Sequence, residues 1–314
     1  MRVLNHKEII MKNELNKGEK KIIYTLKQIM NDNSPMPDPI IKNGILLDKT
    51  MLVIVGPPKS KKTFLAQNIA LAIASGKSFA NFEITESKKV LYFLAEGGYY
   101  PNRDRLQKMG ADFSEKYMEN FMLSLFTYLP INHDDAYNTM HNFIKDSGTE
   151  VVVIDPLIKF HDVDENSASQ LSDVFGKIRR LIRELKVSVI LVHHTGKVVS
   201  KGGRGSSALV GEYDSCITIK INKDSPNSIN LSYDTRHTES PISNQIHFNP
   251  DTFWFESDEG LLKLLMENGG SMLKKDFLSS YDKPKSTTYR YINKAVKAGQ
   301  IKEEEGVLEV VETE

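Results

Sequence analysis

The sequence has little cysteine, no long apolar stretch and no excess of either charge. Its single cysteine, Cys216, rules out an intrachain disulfide bond, so we expect a reducing compartment, the cytoplasm. The longest apolar runs, around 51–55 and 151–154, have the length of a strand and argue against a membrane-spanning helix. Charged residues also interrupt the first 21 residues, which therefore do not resemble a signal peptide.

The charges balance, with 41 Lys and Arg against 41 Asp and Glu. This balance excludes an indiscriminate polycation but permits a local basic patch. At 314 residues, 26% of them charged, the chain is long enough for one large soluble domain and a smaller one.

The order of sequence patterns predicts three parts. Residues 1–39 form a charged helical segment followed by a proline-rich linker. In residues 40–257, continuous apolar strands alternate with amphipathic helices, which is typical of a parallel sheet covered on both faces. The predicted strands are 51–55, 89–95, 120–126, 150–155 and 187–194, and the predicted helices lie near 62–75, 101–109, 134–146 and 169–186.

After Gly205 only short strands follow, which we expect to extend the sheet's edge in antiparallel fashion. In residues 258–314 the pattern predicts three short helices, the second beginning at Ser271, and then a hairpin around Gly306. That order is typical of a winged helix. The fold class is therefore α/β, with a mostly parallel sheet between helices, an antiparallel edge extension and a small C-terminal winged helix.

A phosphate-binding loop is predicted where the strand MLVIV meets the helix FLAQNIALAIA. In such a loop, backbone N–H groups and a helix N-terminus hold phosphates, while a lysine reaches the β- and γ-phosphates and a hydroxyl holds Mg²⁺. Lys62 and Thr63 match those two roles, but Lys61 stands where the pattern has its second glycine. The alternative is a Gly-Pro-Pro turn before a basic helix. The predicted nucleotide-binding residues are Gly56, Pro57, Pro58, Lys59, Ser60, Lys61, Lys62, Thr63 and Phe64.

Three more side chains end predicted strands at the edge where ligands of open α/β sheets bind. Asp155, after VVVI, suits a Mg²⁺ ligand beside Thr63, and Glu96, after YFLA, suits a group that orients or deprotonates the attacking water. His194 suits a contact with the γ-phosphate. Each has a structural alternative: strands often end in Asp, a Glu can cap a loop, and a His can make a structural hydrogen bond.

The C-terminal module is locally basic. Between Lys274 and Lys297 there are seven basic and two acidic residues, a balance of +5. The predicted third helix places Lys285, Thr287 and Arg290 in its first turns, where a helix-turn-helix faces the major groove. The acidic run 303–305 does not suit a DNA-contacting wing, so packing against a protein partner is the alternative role.

Several motifs together resemble the AAA_25 group of RecA-like ATPases, which includes the plasmid RepA-type hexameric replicative helicases. The resemblance covers roughly residues 40–257, and its most distinctive part is the HHTGK…RGSSAL series. The motifs are Gly56 to Thr63, Glu96-Gly97-Gly98, Asp155-Pro156, His193 to Lys197 and Gly203 to Ala208.

The resemblance implies roles for further residues. It implies that Glu96 is the catalytic base and that Lys197, Lys201 and Arg204 lie on a loop facing single-stranded DNA in the channel of a ring. It also implies that Arg236 completes the site of a neighbouring subunit. An ordinary surface loop and an exposed arginine without such a role are the respective alternatives.

The function that we expect is a DNA-dependent ATPase, using ATP and Mg²⁺. It would form a ring, expected to be a hexamer, and act as a replicative helicase or helicase-like motor of a plasmid, phage or other mobile element. Duplex DNA would be a second partner through the winged helix, and no membrane would be involved. One alternative is a replication initiator or regulator that uses ATP as an assembly switch without unwinding. Another is a recombination mediator of RecA type, which forms filaments.

Overall fold

The computed structural model describes residues 23–126, 128–165, 167–194, 211–222, 225–257, 259–281, 285–297 and 300–311. The chain divides into two compact units, one ending at Pro37 and the other beginning at Asp38. The first unit contains helix α1, Leu26–Met30. Its start is a capping box, because the Thr25 hydroxyl accepts from the Gln28 amide and the Gln28 side chain accepts from the Thr25 amide.

The second unit is built mainly on a nine-stranded sheet with helices on both faces. The strands of this sheet are β1 Met51–Gly56, β2 Val90–Leu94, β3 Phe121–Ser124, β4 Val151–Asp155, β5 Ser188–His194, β6 Ser215–Ile221, β7 Ser228–Thr235, β8 Asn244–Phe248 and β9 Phe255–Glu256. The helices that connect them are α2 Lys62–Ser75, α3 Tyr99–Met109, α4 Glu115–Met118, α5 Asp134–Ser147 and α6 Ala168–Leu185, with a 3₁₀ turn at Leu157–Lys159.

The strands follow the order β3-β2-β4-β5-β1-β6-β7-β8-β9, and those from β3 to β6 are parallel. We expected all the strands after Gly205 to be antiparallel, and this is wrong for β6, which pairs with β1 in parallel from Leu52 opposite Ser215. β5 and β6 lie on either side of β1, and the chain between His194 and Ser215 is long enough for the crossover connection that two parallel strands require. The antiparallel extension therefore begins at β7.

The central strands are buried on both sides, which explains their continuous apolar sequences. Alternate residues of β1 belong to two cores: Leu52 and Ile54 pack with α2, whereas Met51 and Val53 pack with α5 and α6. Because β1, β2, β4 and β5 run parallel, their carboxyl ends lie together at one edge of the sheet.

Within the second of these two units, the C-terminal residues form a smaller group of helices and strands with its own core, which we call the C-terminal unit. The elements are α7 Glu259–Glu267, β10 Ser271–Leu273, α8 Lys274–Ser280, α9 Lys285–Lys297, β11 Ile301–Glu304 and β12 Val307–Val310. The strands form an antiparallel sheet of order β10-β12-β11 over a core that includes Leu265, Phe277, Ile292 and Leu308. The prediction of a helix from Ser271 is wrong for its first three residues, because they pair with β12.

Among the described residues, no helix is both long and apolar enough to cross a membrane.

Candidate active site

The loop from β1 to α2 has the backbone of a phosphate-binding loop. Gly56 is tightly enclosed, since a Cβ there would lie 2.9 Å from the Ser60 hydroxyl and 3.0 Å from Ile219. Lys61, which precedes the first helical residue, is left-handed with φ 63° and ψ 24°. That conformation is costly for lysine and free for glycine, which explains why the motif has glycine here. The Lys61 ammonium lies 4.7 Å from the centroid of the Phe248 ring, a cation–π contact.

Lys62 is the buried cation of the loop, with 4% of its surface exposed. Its ammonium donates to the carbonyl oxygens of Gly56 and Pro57 at 2.9 and 2.8 Å. Burial lowers the pKa of Lys62 to about 8, although the nearby carboxylates of Asp155 and Glu96 act in the opposite direction. An anion bound in this loop would therefore find a cation already held in place beside it.

Asp155 ends β4 beneath the loop, where two hydroxyls bind its carboxylate. Thr63 donates to Oδ1 at 3.3 Å and Tyr92 donates to Oδ2 at 2.6 Å. Burial raises the pKa of Asp155 to about 6, while the hydrogen bonds from Tyr92 and Thr63 oppose that rise. A hydroxyl and a carboxylate at this distance are oxygen donors of the kind that Mg²⁺ prefers. Thr63 and Asp155 therefore fit a magnesium ion.

Glu96 follows β2 in a turn that is fixed by hydrogen bonds from the next helix, α3. Asn102, a buried residue of α3, donates from Nδ2 to the carbonyl oxygens of Glu96 and Gly98 at 2.9 and 2.7 Å. Gly97 has φ 86°, and a Cβ there would lie 2.9 Å from the Asn102 amide nitrogen. The turn thus needs glycine for both its backbone angle and its close contact with Asn102.

Arg105 adds a second cation that sequence reasoning missed. One turn of α3 beyond Asn102, its guanidinium donates to Oε1 of Gln67 at 3.3 Å and lies 4.2 Å from the centroid of the Phe64 ring. Burial lowers the pKa of Arg105, opposed by the charges of Tyr92 and Asp155. The i, i+3 spacing of Asn102 and Arg105 was the available signal, since it places both on one face of the helix.

These elements enclose a cleft of about 430 Å³. It is lined by residues 59–64 of the predicted loop and by Glu96 and His194, but not by Gly56, Pro57 or Pro58. Leu94, Gly97, Asn102 and Arg105 also line it, and none of these four was among the predicted site residues. Burial lowers the pKa of His194, and the charge of Lys62 adds to this effect. The lining residues are Lys59, Ser60, Lys61, Lys62, Thr63, Phe64, Leu94, Glu96, Gly97, Asn102, Arg105 and His194.

The Ser60 hydroxyl is a buried polar group in this cleft that is available to a ligand. It is 1% exposed, and its hydroxyl has no hydrogen-bond partner among the described residues. A phosphate oxygen would supply that partner. Within the described ranges, no group of three or more His, Cys, Asp or Glu residues could hold a metal ion. Mg²⁺ held by Thr63, Asp155 and a nucleotide differs from such a site, because it has only one carboxylate ligand from the protein.

Arg236 does not lie in the cleft. Its amide bonds to the Asp214 carbonyl at 2.9 Å, its guanidinium donates to the Gly211 carbonyl at 3.0 Å, and Asp214 bonds to Met51 at the start of β1. The phosphate-binding loop follows the other end of that strand, so Arg236 is at the opposite edge of the sheet.

The residues predicted to bind DNA are only partly described. Lys197, Lys201 and Arg204 lie outside the described residues. Lys285 is exposed at the start of α9, and Thr287 and Arg290 follow on the same helix. Lys274 is one of the seven basic residues between positions 274 and 297. Its ammonium donates to both carboxylate oxygens of Glu303, at 2.7 and 2.8 Å, and it is therefore not a free cation.

The AAA_25 family model, which describes an AAA domain, matches residues 26–200. Two solved structures share the fold at low identity. One is an ATPase domain with a TM-score of 0.51 and 15% identity, covering 67% of this chain and 85% of that chain. The other is a DnaB-like replicative helicase, solved to show its interactions with primase. It has a TM-score of 0.52 and 14% identity, covering 82% of this chain and 67% of that chain.

Proposed function

This chain belongs to the AAA_25 family, with a RecA-like P-loop ATPase fold, and on that premise we propose that it is a DNA-dependent ATPase that forms a ring. It would act as a replicative helicase, or a helicase-like motor, of a plasmid, phage or other mobile element. The observation that carries this proposal is the cleft in which the loop, Glu96, Arg105 and His194 surround one space, with Asp155 beneath Thr63.

The loop side of the cleft would bind the phosphates of ATP. Backbone N–H groups at the start of α2 and the Ser60 hydroxyl would donate to phosphate oxygens, and the Lys62 ammonium would exchange its carbonyl partners for the β- and γ-phosphates. Thr63 and Asp155 would hold Mg²⁺, which neutralises phosphate charge when bound.

The opposite side of the cleft would supply the chemistry. Glu96 is exposed to the solvent from which the attacking water comes, and Asn102 fixes the turn that carries it. Glu96 would orient this water and accept its proton. Arg105 and Lys62 would stabilise the negative charge that develops on the transferred phosphoryl group, and His194 would contact that group.

Arg236 suits a role between subunits. Because it is exposed at the far edge of the sheet, it cannot reach its own cleft but is available to the cleft of another copy. We propose that it stabilises the transition state there in trans. Mixing the two inactive variants Lys62→Ala and Arg236→Ala should then restore part of the ATPase activity, whereas neither alone should have any.

DNA is the proposed partner. Lys197, Lys201 and Arg204 follow His194 closely in the sequence, so a loop bearing them could respond to the γ-phosphate while binding DNA phosphates. One of the structures that this chain resembles is a replicative helicase, which is consistent with this proposal.

The C-terminal unit is proposed to be a winged helix that contacts duplex DNA. Its order of elements, helix, strand, helix, helix and hairpin, supports this, as does the exposed Lys285 at the start of α9. Glu304 and Glu305 are exposed on the hairpin, so α9 rather than the hairpin would face the phosphates. The proposed domains are 1–39, 40–257 and 258–314.

The test is the ATPase rate with and without single-stranded DNA, with the oligomer mass measured in the same buffer. A rate that rises with DNA in a closed hexamer, together with strand displacement on a forked duplex, supports the motor. No turnover and no binding of Mg·ATP would overturn the whole proposal.

A specific observation favours a second function, an initiator or regulator that uses ATP as an assembly switch. Lys61 occupies the strained left-handed position and directs its ammonium to Phe248, which could slow turnover. Tight ATP and DNA binding without unwinding would favour this switch, and Lys61→Gly should then raise the turnover rate. Filaments instead of rings in electron micrographs would favour a recombination mediator.

A further inference from the structure

The last two residues of β5 face opposite sides of the sheet. Ile190 and Val192 of this strand belong to the core beside α2, whereas Val189 and Leu191 belong to the core beside α5 and α6. The alternation continues to the strand's end. His194 accordingly lines the nucleotide cleft, and His193 lies on the other face.

On that other face, His193 meets two titratable residues of the segment between β4 and α6. Nδ1 of His193 and Nε2 of His161 each lie 3.8 Å from the same atom, Oε1 of Glu165. His161 is 5% exposed, and Oε1 of Glu165 and Nδ1 of His193 are both buried without a hydrogen-bond partner among the described residues. None of the three belongs to the nucleotide cleft.

The chemistry of His193, His161 and Glu165 favours hydrogen bonds over ion pairs among these three side chains. Burial lowers the pKa of His193 to about 4, with the charges of His194, His161 and Lys62 adding to the effect, and burial also lowers the pKa of His161. Both imidazoles are therefore neutral at neutral pH, and each has one N–H to donate. Burial raises the pKa of Glu165, but its carboxylate oxygen still has room for two donors.

We propose that Glu165 is a positioning residue that couples the nucleotide cleft to DNA, as the shared hydrogen-bond acceptor beside His161 and beside His193 on the far face of β5. This rests on the proposed function. A shift of about 1 Å at the end of β5 would bring His193 within hydrogen-bond distance of Glu165. Because His194 is the next residue, the same shift would move the side chain that is proposed to face the γ-phosphate, and Lys197 follows His194 by only three positions in the sequence.

The first experiment measures the ATPase rate with and without single-stranded DNA in wild type, Glu165→Ala, Glu165→Gln and a control, Glu239→Ala. Glu239 is exposed in the loop between β7 and β8. In Glu165→Ala, stimulation by DNA should fall by a factor on the order of 10, while the basal rate and ATP affinity stay close to wild type. Glu165→Gln keeps an oxygen acceptor and should restore most of the stimulation. Glu239→Ala should behave as wild type.

A second readout does not depend on DNA. In spectra of ¹⁵N-histidine-labelled protein, a non-hydrolysable ATP analogue should shift the imidazole signals of His193 and His161 in wild type but not in Glu165→Ala. Full DNA stimulation and an unchanged nucleotide response of both histidines in a folded Glu165→Ala would overturn the inference. If Glu165→Ala does not fold, Glu165→Gln decides, because a complete loss of stimulation there would contradict an acceptor role.

The two proposals can fail separately. A wild-type protein that hydrolyses ATP without responding to DNA would overturn the DNA-dependent part of the proposed function. The histidine spectra alone would then decide whether Glu165 links the two faces of β5.

Discussion

The nucleotide cleft and helix α9 both present basic residues, but the protein surrounds those residues very differently. In the cleft, the Lys62 ammonium is buried and held by two backbone carbonyls, with Asp155 and Glu96 close enough to act on its pKa. At the start of α9, Lys285 is exposed to solvent.

This difference teaches how each region can work. Water screens exposed charges and each contributes little alone, so α9 can attract a polyanion only through the sum of its charges. A buried cation acts with much less screening, and its geometry is set by the fold before a ligand arrives. Substitutions should therefore have large and specific effects in the cleft and small, additive effects on α9.

The strongest test of this contrast is Lys62→Ala. Without its ammonium, the cleft lacks the group that is proposed to contact the terminal phosphates, and ATP turnover should fall by about 10³-fold or more. Steady-state phosphate release measures the rate, and Lys285→Ala is the matched control. A comparable loss in Lys285→Ala would break the comparison between the two regions.

Glu96→Gln should separate binding from chemistry. The amide keeps the size of the side chain but cannot accept the proton of the attacking water, so turnover should fall by about 10²–10⁴-fold. Binding of Mg·ATP, followed by calorimetry, should remain close to wild type. Normal turnover in this variant would remove Glu96 from the catalytic role.

Asp155 should make the stability of the protein depend on pH. Its folded-state pKa is about 6, against 3.8 for an ordinary aspartate, so the folded protein binds this proton more tightly than the unfolded chain does. The resulting stability is present below pH 4 and is lost as the pH rises through 6. Linkage gives about 3 kcal/mol as the upper size of this effect.

Asp155→Asn should remove that dependence. At pH 7 the variant should be more stable than wild type by about 1–3 kcal/mol, because it buries no charge, while losing Mg²⁺-dependent nucleotide binding. Urea unfolding at pH 4.5 and pH 7 measures both proteins. Glu303→Gln, a surface carboxylate in the C-terminal unit, is the contrast, with an expected change of about 1 kcal/mol or less. Equal pH profiles for wild type and Asp155→Asn would contradict the raised pKa.

Asn102→Ala should show how far the support of Glu96 matters. Loss of the two hydrogen bonds to the Glu96 and Gly98 carbonyls frees the turn, and kcat should fall by about tenfold with little change in ATP affinity. Thermal melting checks that the variant folds. A change in KM alone would assign Asn102 to nucleotide binding instead.

Much of the fold could be predicted because its local signals agree. The strands β1, β2, β4 and β5 are buried on both faces and so have uninterrupted apolar sequences, and each predicted helix between them begins and ends within two residues of its predicted position. The direction of β6 could not be predicted, because the sequence of a single strand does not show whether its neighbour runs parallel or antiparallel to it. The short β10 was hidden inside a sequence with helical spacing.

The site was predictable where a motif fixes the backbone and was missed where distant elements meet. Lys62, Thr63 and Asp155 follow from the motif and the strand ends. Tyr92, whose hydroxyl donates to Asp155, and Arg105, which lies close enough for Asp155 to act on its pKa, could not be found from the motif or from the strand ends. Arg105 lies on a mostly polar helix that looks solvent-exposed, and whether Tyr92 faces α2 or α6 depends on its register in the sheet.

The smallest expected effect is that of Lys285 on helix α9, the exposed region in the comparison with the nucleotide cleft. If this exposed residue contacts a DNA phosphate, Lys285→Ala should weaken duplex binding by a few-fold, equally for all sequences, and reduce the slope of log affinity against log salt by about 1. Fluorescence anisotropy at several salt concentrations measures both quantities, with Lys145→Ala on α5 as a control. The ATPase rate without DNA should not change, because solvent screens this charge. A loss confined to one DNA sequence would instead mean that α9 reads bases through Lys285, and no loss at all would favour a protein partner for the C-terminal unit.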